Sequence, residues 1–359
     1  MMRSITEIPV LHNIPVLVRA ALNVPLEGGR VASEYRLRRA LPTIVYLRER
    51  GARVVLASHI GDTSTATLRP VVEELEKLIG PVAFCEVPVG ARAREAVRVL
   101  RPGEVLVLEN LRRDPGEVAG SIEFARELAA LADVFVQDSF DTCHRAHASI
   151  VRLPALLPAY AGFELLDEIR ELSKALSPRH PSFAIIGGAK FSTKEAVLTR
   201  LLATYDHVFV GGALANDFLK AKGQEVGESL ISDTSPDELQ KVLAHPRLLL
   251  PIDSRIEDGR IEDHGPKTIE LLVDLVNNAR TILWNGPLGE YEKGFTAATD
   301  AVAEAIAGSG AYSVVGGGDT AVELERRGLL ERYSFVSIGG GAMLEFLAKG
   351  TLPGLAALG

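Results

Sequence analysis

Short apolar runs alternate with amphipathic stretches from one end of the chain to the other. In the first half the runs are "VLVRA", "RVVLAS", "VAFCEV", "EVLVLEN" and "DVFVQDS"; "SEYRLRRALPTIVYLRERG" and "LRPVVEELEKLIG" between them carry apolar residues at helical spacing. In the second half the runs are "FAIIGG", "HVFVGG", "RLLLPID", "TILWNG", "SVVGGG" and "FVSIGGG". Strands that take turns with helices predict an α/β protein with parallel sheets. Between the halves, "LPALLPAYAGFELLDEIRELSKALSPRHP" has a proline-marked entry, a helical centre and a proline-marked exit. It predicts a connecting helix over 158–177, with one lobe over 1–157 and a second over 178–341.

The two halves differ in what their strands deliver. First-half strands end in Arg, His, Asn and Asp, and second-half strands end mostly in glycine. Ligands of open parallel sheets bind beyond the carboxyl ends of the strands, so two half-sites are expected, one cationic and one glycine-rich. Glycine there lets main-chain N–H groups and a helix N-terminus approach phosphate.

Composition narrows the partners. A chain of 359 residues exceeds one ordinary core, in keeping with two lobes. Its net charge of −8 argues against nucleic acid or an anionic membrane as the main partner, but a local arginine cluster can still hold a small anion. Cys85 and Cys143 are too few for a disulfide framework and suit a reducing compartment. The opening "MMRSITEIPVLHN" lacks an apolar segment, and no run reaches the length of a membrane span. A cytoplasmic protein is expected.

Five glycine loops lie in the second half: Gly187-Gly188, Gly211-Gly212, Gly286 to Gly289, Gly316-Gly317-Gly318 and Gly339-Gly340-Gly341. One would be ordinary turn packing; five favour a nucleotide site. None fits G-x-x-x-x-G-K-[ST]. "GGGDTA" fits a loose dinucleotide fingerprint, but the acid such a site needs about 20 residues on is replaced by Ser337, Ile338 and Gly339. A Rossmann dehydrogenase is disfavoured. Lys190 and Lys194 open a helix, where cations oppose the dipole unless an anion is present. Asp319 also starts a helix, either as a plain N-terminal acid or as a Mg²⁺ ligand. Arg19, Arg36, Arg112 and Arg145 fall at strand ends or a helix start, and their planar forks suit phosphate and carboxylate. His144 and His147 flank Arg145, which favours anion binding over zinc.

In sequence order, "LNVPLEGGRV", "LENLR", "HRAHAS", "GGAKFSTK", "HGPKTIEL", "WNGPLGEYE", "VVGGGDTA" and "GGGAMLEFLAKGTLPG" make the chain resemble the phosphoglycerate kinase family along nearly its whole length. The resemblance implies two Rossmann-like lobes joined by a hinge helix, with 342–359 packing back on the first lobe. It implies reversible phosphoryl transfer between ATP and 3-phosphoglycerate, with ATP/ADP and Mg²⁺ bound and a monomeric state. Carried over by position, Arg19, Asn23, Arg36, His59, Arg112 and Arg145 match 3-phosphoglycerate-binding residues. Lys190, Lys194, Gly212, Asn285, Glu292, Gly316, Gly317, Gly318, Asp319 and Thr320 match the nucleotide side, Glu292 at the ribose and Asp319 at Mg²⁺. Arg36, Lys190, Lys194, Gly317 and Gly340 match positions at the transferring phosphoryl.

The substrate side departs from the pattern. Ala21 stands where the family has a substrate-binding aspartate, Asp62 where it has an arginine, and Asp141 where it has a glycine. Ile338 and Met343 replace smaller polar residues, and the loop before "HGPKT" is short. These changes leave three readings: an active phosphoglycerate kinase, a kinase for another phosphorylated acid, or a nucleotide-binding pseudo-enzyme. The first is preferred because four arginines remain. "SHIGDT" is then an anion-site loop that has lost a cation, with Asp62 expected to turn outward onto a basic neighbour.

Overall fold

The computed structural model describes residues 2–234 and 236–359, with the side chains of Pro236 and Asp319 outside the description. The chain forms two units, Met1–Ile169 with Thr351–Gly359, and Arg170–Gly350. The boundary falls within the helix Phe163–Ala175. The expected terminal segment 342–359 is divided: the helix Gly341–Lys349 stays with the second unit, and only Thr351–Gly359 joins the first.

The first unit contains strands β1 (Pro15–Ala20), β2 (Leu26–Glu27), β3 (Arg30–Val31), β4 (Arg53–Ala57), β5 (Ala83–Cys85), β6 (Val105–Leu108), β7 (Val134–Asp138) and β8 (Ala159–Ala161). Six of them make one parallel sheet in the order β5-β6-β4-β1-β7-β8. Every residue of β1 is buried, because helices cover both faces of a parallel sheet. Alternation divides its side chains between two cores. Val16 and Val18 meet Leu37, Ile44 and Leu75 from helices Tyr35–Glu49 and Arg69–Ile79. Leu17 faces Phe124 and Leu128 from helix Ile122–Ala129.

The second unit repeats the plan. Its strands are β9 (Ser182–Ile186), β10 (His207–Val210), β11 (Leu248–Leu249), β12 (Ser254–Glu257), β13 (Arg260–His264), β14 (Thr281–Asn285), β15 (Tyr312–Gly316) and β16 (Phe335–Ser337). The parallel order is β11-β10-β9-β14-β15-β16. Each unit also carries an antiparallel hairpin that the strand–helix alternation does not anticipate, β2–β3 and β12–β13. In each sheet the winding direction reverses beside the first strand, between β1 and β7 and between β9 and β14. Those two reversals fix where a ligand crevice opens.

Candidate active site

At the first reversal Arg19 does not reach the surface expected of a substrate contact. It is 1% exposed, because β1 is central and covered on both sides. Its guanidinium donates to Ser149 Oγ at 3.1 Å, to the Ala20 carbonyl at 3.0 Å and to His59 Nδ1 at 3.2 Å. A guanidinium has only hydrogens to offer, so Nδ1 must accept and the imidazole proton sits on Nε2. Burial first, and then the Arg19, Arg112 and Arg36 charges, push His59 down to about 2. Burial, followed by Arg112, Arg19 and Arg145, pushes His147 down to about 4. Both rings are neutral near pH 7 and lie within one cationic field. The buried Ser149 hands Arg19 on to an acid, its hydroxyl donating to Glu117 Oε1 at 2.6 Å.

Around this buried base the loops are tied to one another. Asn23 Oδ1 accepts from the Gly61 N–H at 3.0 Å, and its carbonyl accepts from Arg36 Nη1 at 3.2 Å. Asn110 grips Ile60 from both sides, accepting from its N–H at 3.3 Å and donating to its carbonyl at 2.9 Å. Asp62 points outward, with its side chain 98% exposed, and pairs with Arg112 Nη1 at 2.6 Å. Arg145 is exposed, and Ala21 is buried and presents main chain only. Asp141 accepts from Arg36 Nη1 at 3.2 Å. Ser58, Asn110, Glu117 and Ser149 hold this assembly together and were not singled out from sequence. Ser58 and Asn110 carry the signal of following a strand end, which alone does not separate a brace from a turn residue, and Glu117 and Ser149, inside the short helices Pro115–Val118 and Ala148–Arg152, carry none.

At the second reversal three loops meet main chain to main chain. The Gly187 N–H donates to the Asn285 carbonyl at 2.8 Å, and the Leu214 N–H to the Gly188 carbonyl at 2.7 Å. Gly212 caps the helix Ala213–Ala221 with φ 63°, and its N–H donates to His264 Nε2 at 3.3 Å. These loops line a cavity of about 290 Å³ that also takes in Leu230, Asp263, Leu288 and Glu292. Glu292 is exposed on the turn Tyr291–Lys293. Lys190 is exposed, whereas Lys194 is buried and donates from Nζ to the Gly187 carbonyl. Burial alone lowers Lys194 to about 8.

Gly316 ends β15, Gly317 caps the helix Gly318–Arg326 with φ 113°, and Gly340 caps Gly341–Lys349 with φ 51°. A Cβ on Gly317 would lie 3.3 Å from Thr320 Oγ1 and 3.7 Å from Asn285 Nδ2, so these three positions converge. Thr320 Oγ1 is buried and has no partner among the described residues. A buried hydroxyl at a helix N-terminus, beside buried Asn285, suits an anionic oxygen. Met343 lies against Asn285, its sulfur 3.9 Å from Nδ2. The Asp319 side chain, expected at the metal, lies outside the described residues. Among the described residues, no three His, Cys, Asp or Glu side chains gather as a metal cluster, and no helix is long and apolar enough to cross a membrane.

A sequence model described as phosphoglycerate kinase matches residues 5–350. A phosphoglycerate kinase of Chloroflexus aggregans is 44% identical, with 95% of each chain covered. One from Thermomicrobium roseum is 41% identical, with 99% of each covered. Among solved structures, phosphoglycerate kinase from Pyrococcus horikoshii superposes with a TM-score of 0.90 at 32% identity, covering 99% of this chain and 98% of the other. The Coxiella burnetii enzyme gives a TM-score of 0.83 at 36% identity, covering 100% and 99%.

Proposed function

The chain belongs to the phosphoglycerate kinase family, and from that premise we propose how its residues divide the work. The reaction is reversible phosphoryl transfer between ATP and 3-phosphoglycerate, giving ADP and 1,3-bisphosphoglycerate. A pseudo-enzyme or a kinase for another acid is not favoured.

In the first unit, Arg112 and Arg145 bind the phosphate of 3-phosphoglycerate, and Asn23 meets the acid end. His59 donates from Nε2, held in that tautomer by Arg19 beneath it. Arg36 lies at the carboxylate and spreads the charge of the transferring group. In the second unit, Gly212 and Glu292 take the nucleoside. Lys190, Lys194, Asn285, Thr320 and the helix starts at Gly317 and Gly340 follow the phosphates. The substrate carboxylate is already an anionic nucleophile, so no general base is needed; catalysis rests on positioning and on stabilising charge. Mg²⁺ would come with the nucleotide and reduce the negative charge of its phosphates, with Asp319 as the carboxylate to hold it. The orphaned Thr320 hydroxyl supports an oxygen-rich ligand at that helix start. The local cluster of Arg36, Arg112 and Arg145 supports a small anion as the partner in spite of the net charge of −8, for a protein read as a cytoplasmic monomer.

The observation that carries the reading is that Arg19, Arg36 and Arg112 all act on one buried, neutral His59. A coupled assay of ATP-dependent 1,3-bisphosphoglycerate formation tests it. Arg36→Ala should lower kcat far more than it raises KM, by about 2–4 kcal/mol of transition-state stabilisation. A change confined to KM would move Arg36 to ground-state binding.

A further inference from the structure

Asp141 stands where the family pattern has glycine, and it has two partners. Its Oδ2 accepts from Arg36 Nη1 at 3.2 Å, and its Oδ1 accepts from the Ser139 hydroxyl at 2.5 Å. Ser139 Oγ accepts in turn from Arg19 Nη1 at 3.4 Å. A line of hydrogen bonds therefore runs from the buried arginine through Ser139 and Asp141 to Arg36. The Asp141 side chain is only 7% exposed, so water does little to weaken its hold. Asp62, the other acid foreign to the pattern, also meets an arginine but lies in open solvent, where such pairs contribute little.

Among the described residues, every hydrogen bond of Arg36 leaves from Nη1, to Asp141 and to the Asn23 carbonyl. Two acceptors on one nitrogen fix the plane of a guanidinium. The Nε and Nη2 hydrogens, on the other edge, are left for a ligand.

We propose that Asp141 is a positioning residue: it orients Arg36 toward the transferring phosphoryl group, and its own charge sets a lower ground-state affinity for the anionic acceptor. The first effect raises kcat, and the second raises KM. This inference rests on the reading of Arg36 given above.

The two effects predict an unusual pair of changes. Asp141→Gly frees Arg36 and removes a carboxylate, so kcat should fall about tenfold or more while KM for 3-phosphoglycerate also falls. Calorimetric titration with 3-phosphoglycerate should show tighter binding to match. Asp141→Asn keeps one acceptor for Arg36 without the charge, its amide NH2 donating to Ser139 Oγ while that hydroxyl turns to Thr142, so it should recover most of the lost kcat and keep the lowered KM. In an Arg36→Ala background, Asp141→Gly should cost no further kcat, because the two act as one unit. Thermal melts check that each variant is folded. The inference fails if Asp141→Gly keeps full kcat, if its loss persists undiminished without Arg36, or if binding of 3-phosphoglycerate weakens in both Asp141 variants. Full turnover by Arg36→Ala would instead overturn the reading of Arg36, and this inference with it.

Discussion

At 2.6 Å from Arg112, Asp62 forms an ion pair in which the acid stands in water while the arginine is largely covered. The pair nonetheless takes up one of the cations proposed for the substrate. Asp62→Arg should release Arg112 and add a second cation, lowering KM for 3-phosphoglycerate by a factor of about 2 to 5 with little change for ATP. A KM that stays put or rises would detach this loop from the phosphate end of the pocket. Lys194 shows the opposite environment, a cation out of water whose ammonium, among the described residues, donates to the Gly187 carbonyl. Its ordinary value is 10.5 and burial lowers it to about 8, so between those limits the unfolded chain keeps a proton that the folded one has released. Stability from this group therefore rises with pH across that window. Nucleotide phosphates would restore the charge, so MgADP binding near pH 8 to 9 should take up protons, measured as a buffer-dependent binding heat. Lys194→Met should abolish the uptake and weaken binding; an uptake that survives the substitution belongs to another group.

Helix and strand ends carry the next level of control. Gly212 turns with φ 63°, and a Cβ there would lie 2.9 Å from the Gly188 nitrogen and 3.0 Å from the Pro287 carbonyl. Gly212→Ala should then cost about 1–3 kcal/mol of stability and loosen MgADP binding together. An ADP affinity equal to wild type would take the loop out of the nucleotide site. The main strands are legible in the sequence because doubly covered parallel strands read as unbroken apolar runs, as "TILWN" does with all five residues buried. The hairpins pass unread in that pattern although their turns are written out. Gly28-Gly29 and Asp258-Gly259 all have positive φ, as a two-residue hairpin turn demands. β8 is lost for another reason: three residues between Pro158 and Gly162 look like the lead-in to the connecting helix. In the site, residue types at strand ends disclose which unit takes an anion. Which acid meets which arginine is not readable, since Arg36 and Asp141 are 105 positions apart and meet only through the β1–β7 neighbourhood.

For the molecule as a whole, one buried acid should leave its mark on stability. Asp138 caps the start of the helix Phe163–Ala175, accepting from the Glu164 and Leu165 N–H groups at 3.0 and 3.3 Å. Burial raises it from 3.8 to about 7. The folded state thus holds a proton that the unfolded chain has lost over that interval, so stability from Asp138 is full below it and falls as pH rises through it. Asp138→Asn removes this slope. Relative to wild type, the variant should gain stability between pH 5 and pH 8 in denaturant unfolding, and a difference independent of pH would show that the carboxyl ionises normally.

The first unit is also completed from the far end of the chain. Leu352 and Leu355 are buried there, and the Gly354 N–H donates to the Cys143 carbonyl at 2.8 Å. During synthesis these residues leave the ribosome after the whole of Arg170–Gly350. The first unit must therefore wait unsealed, with the apolar surface around Cys143 and Ile150 bare, while the second is translated and free to fold. The order of synthesis and the order of completion are reversed: the unit made first is the one finished last.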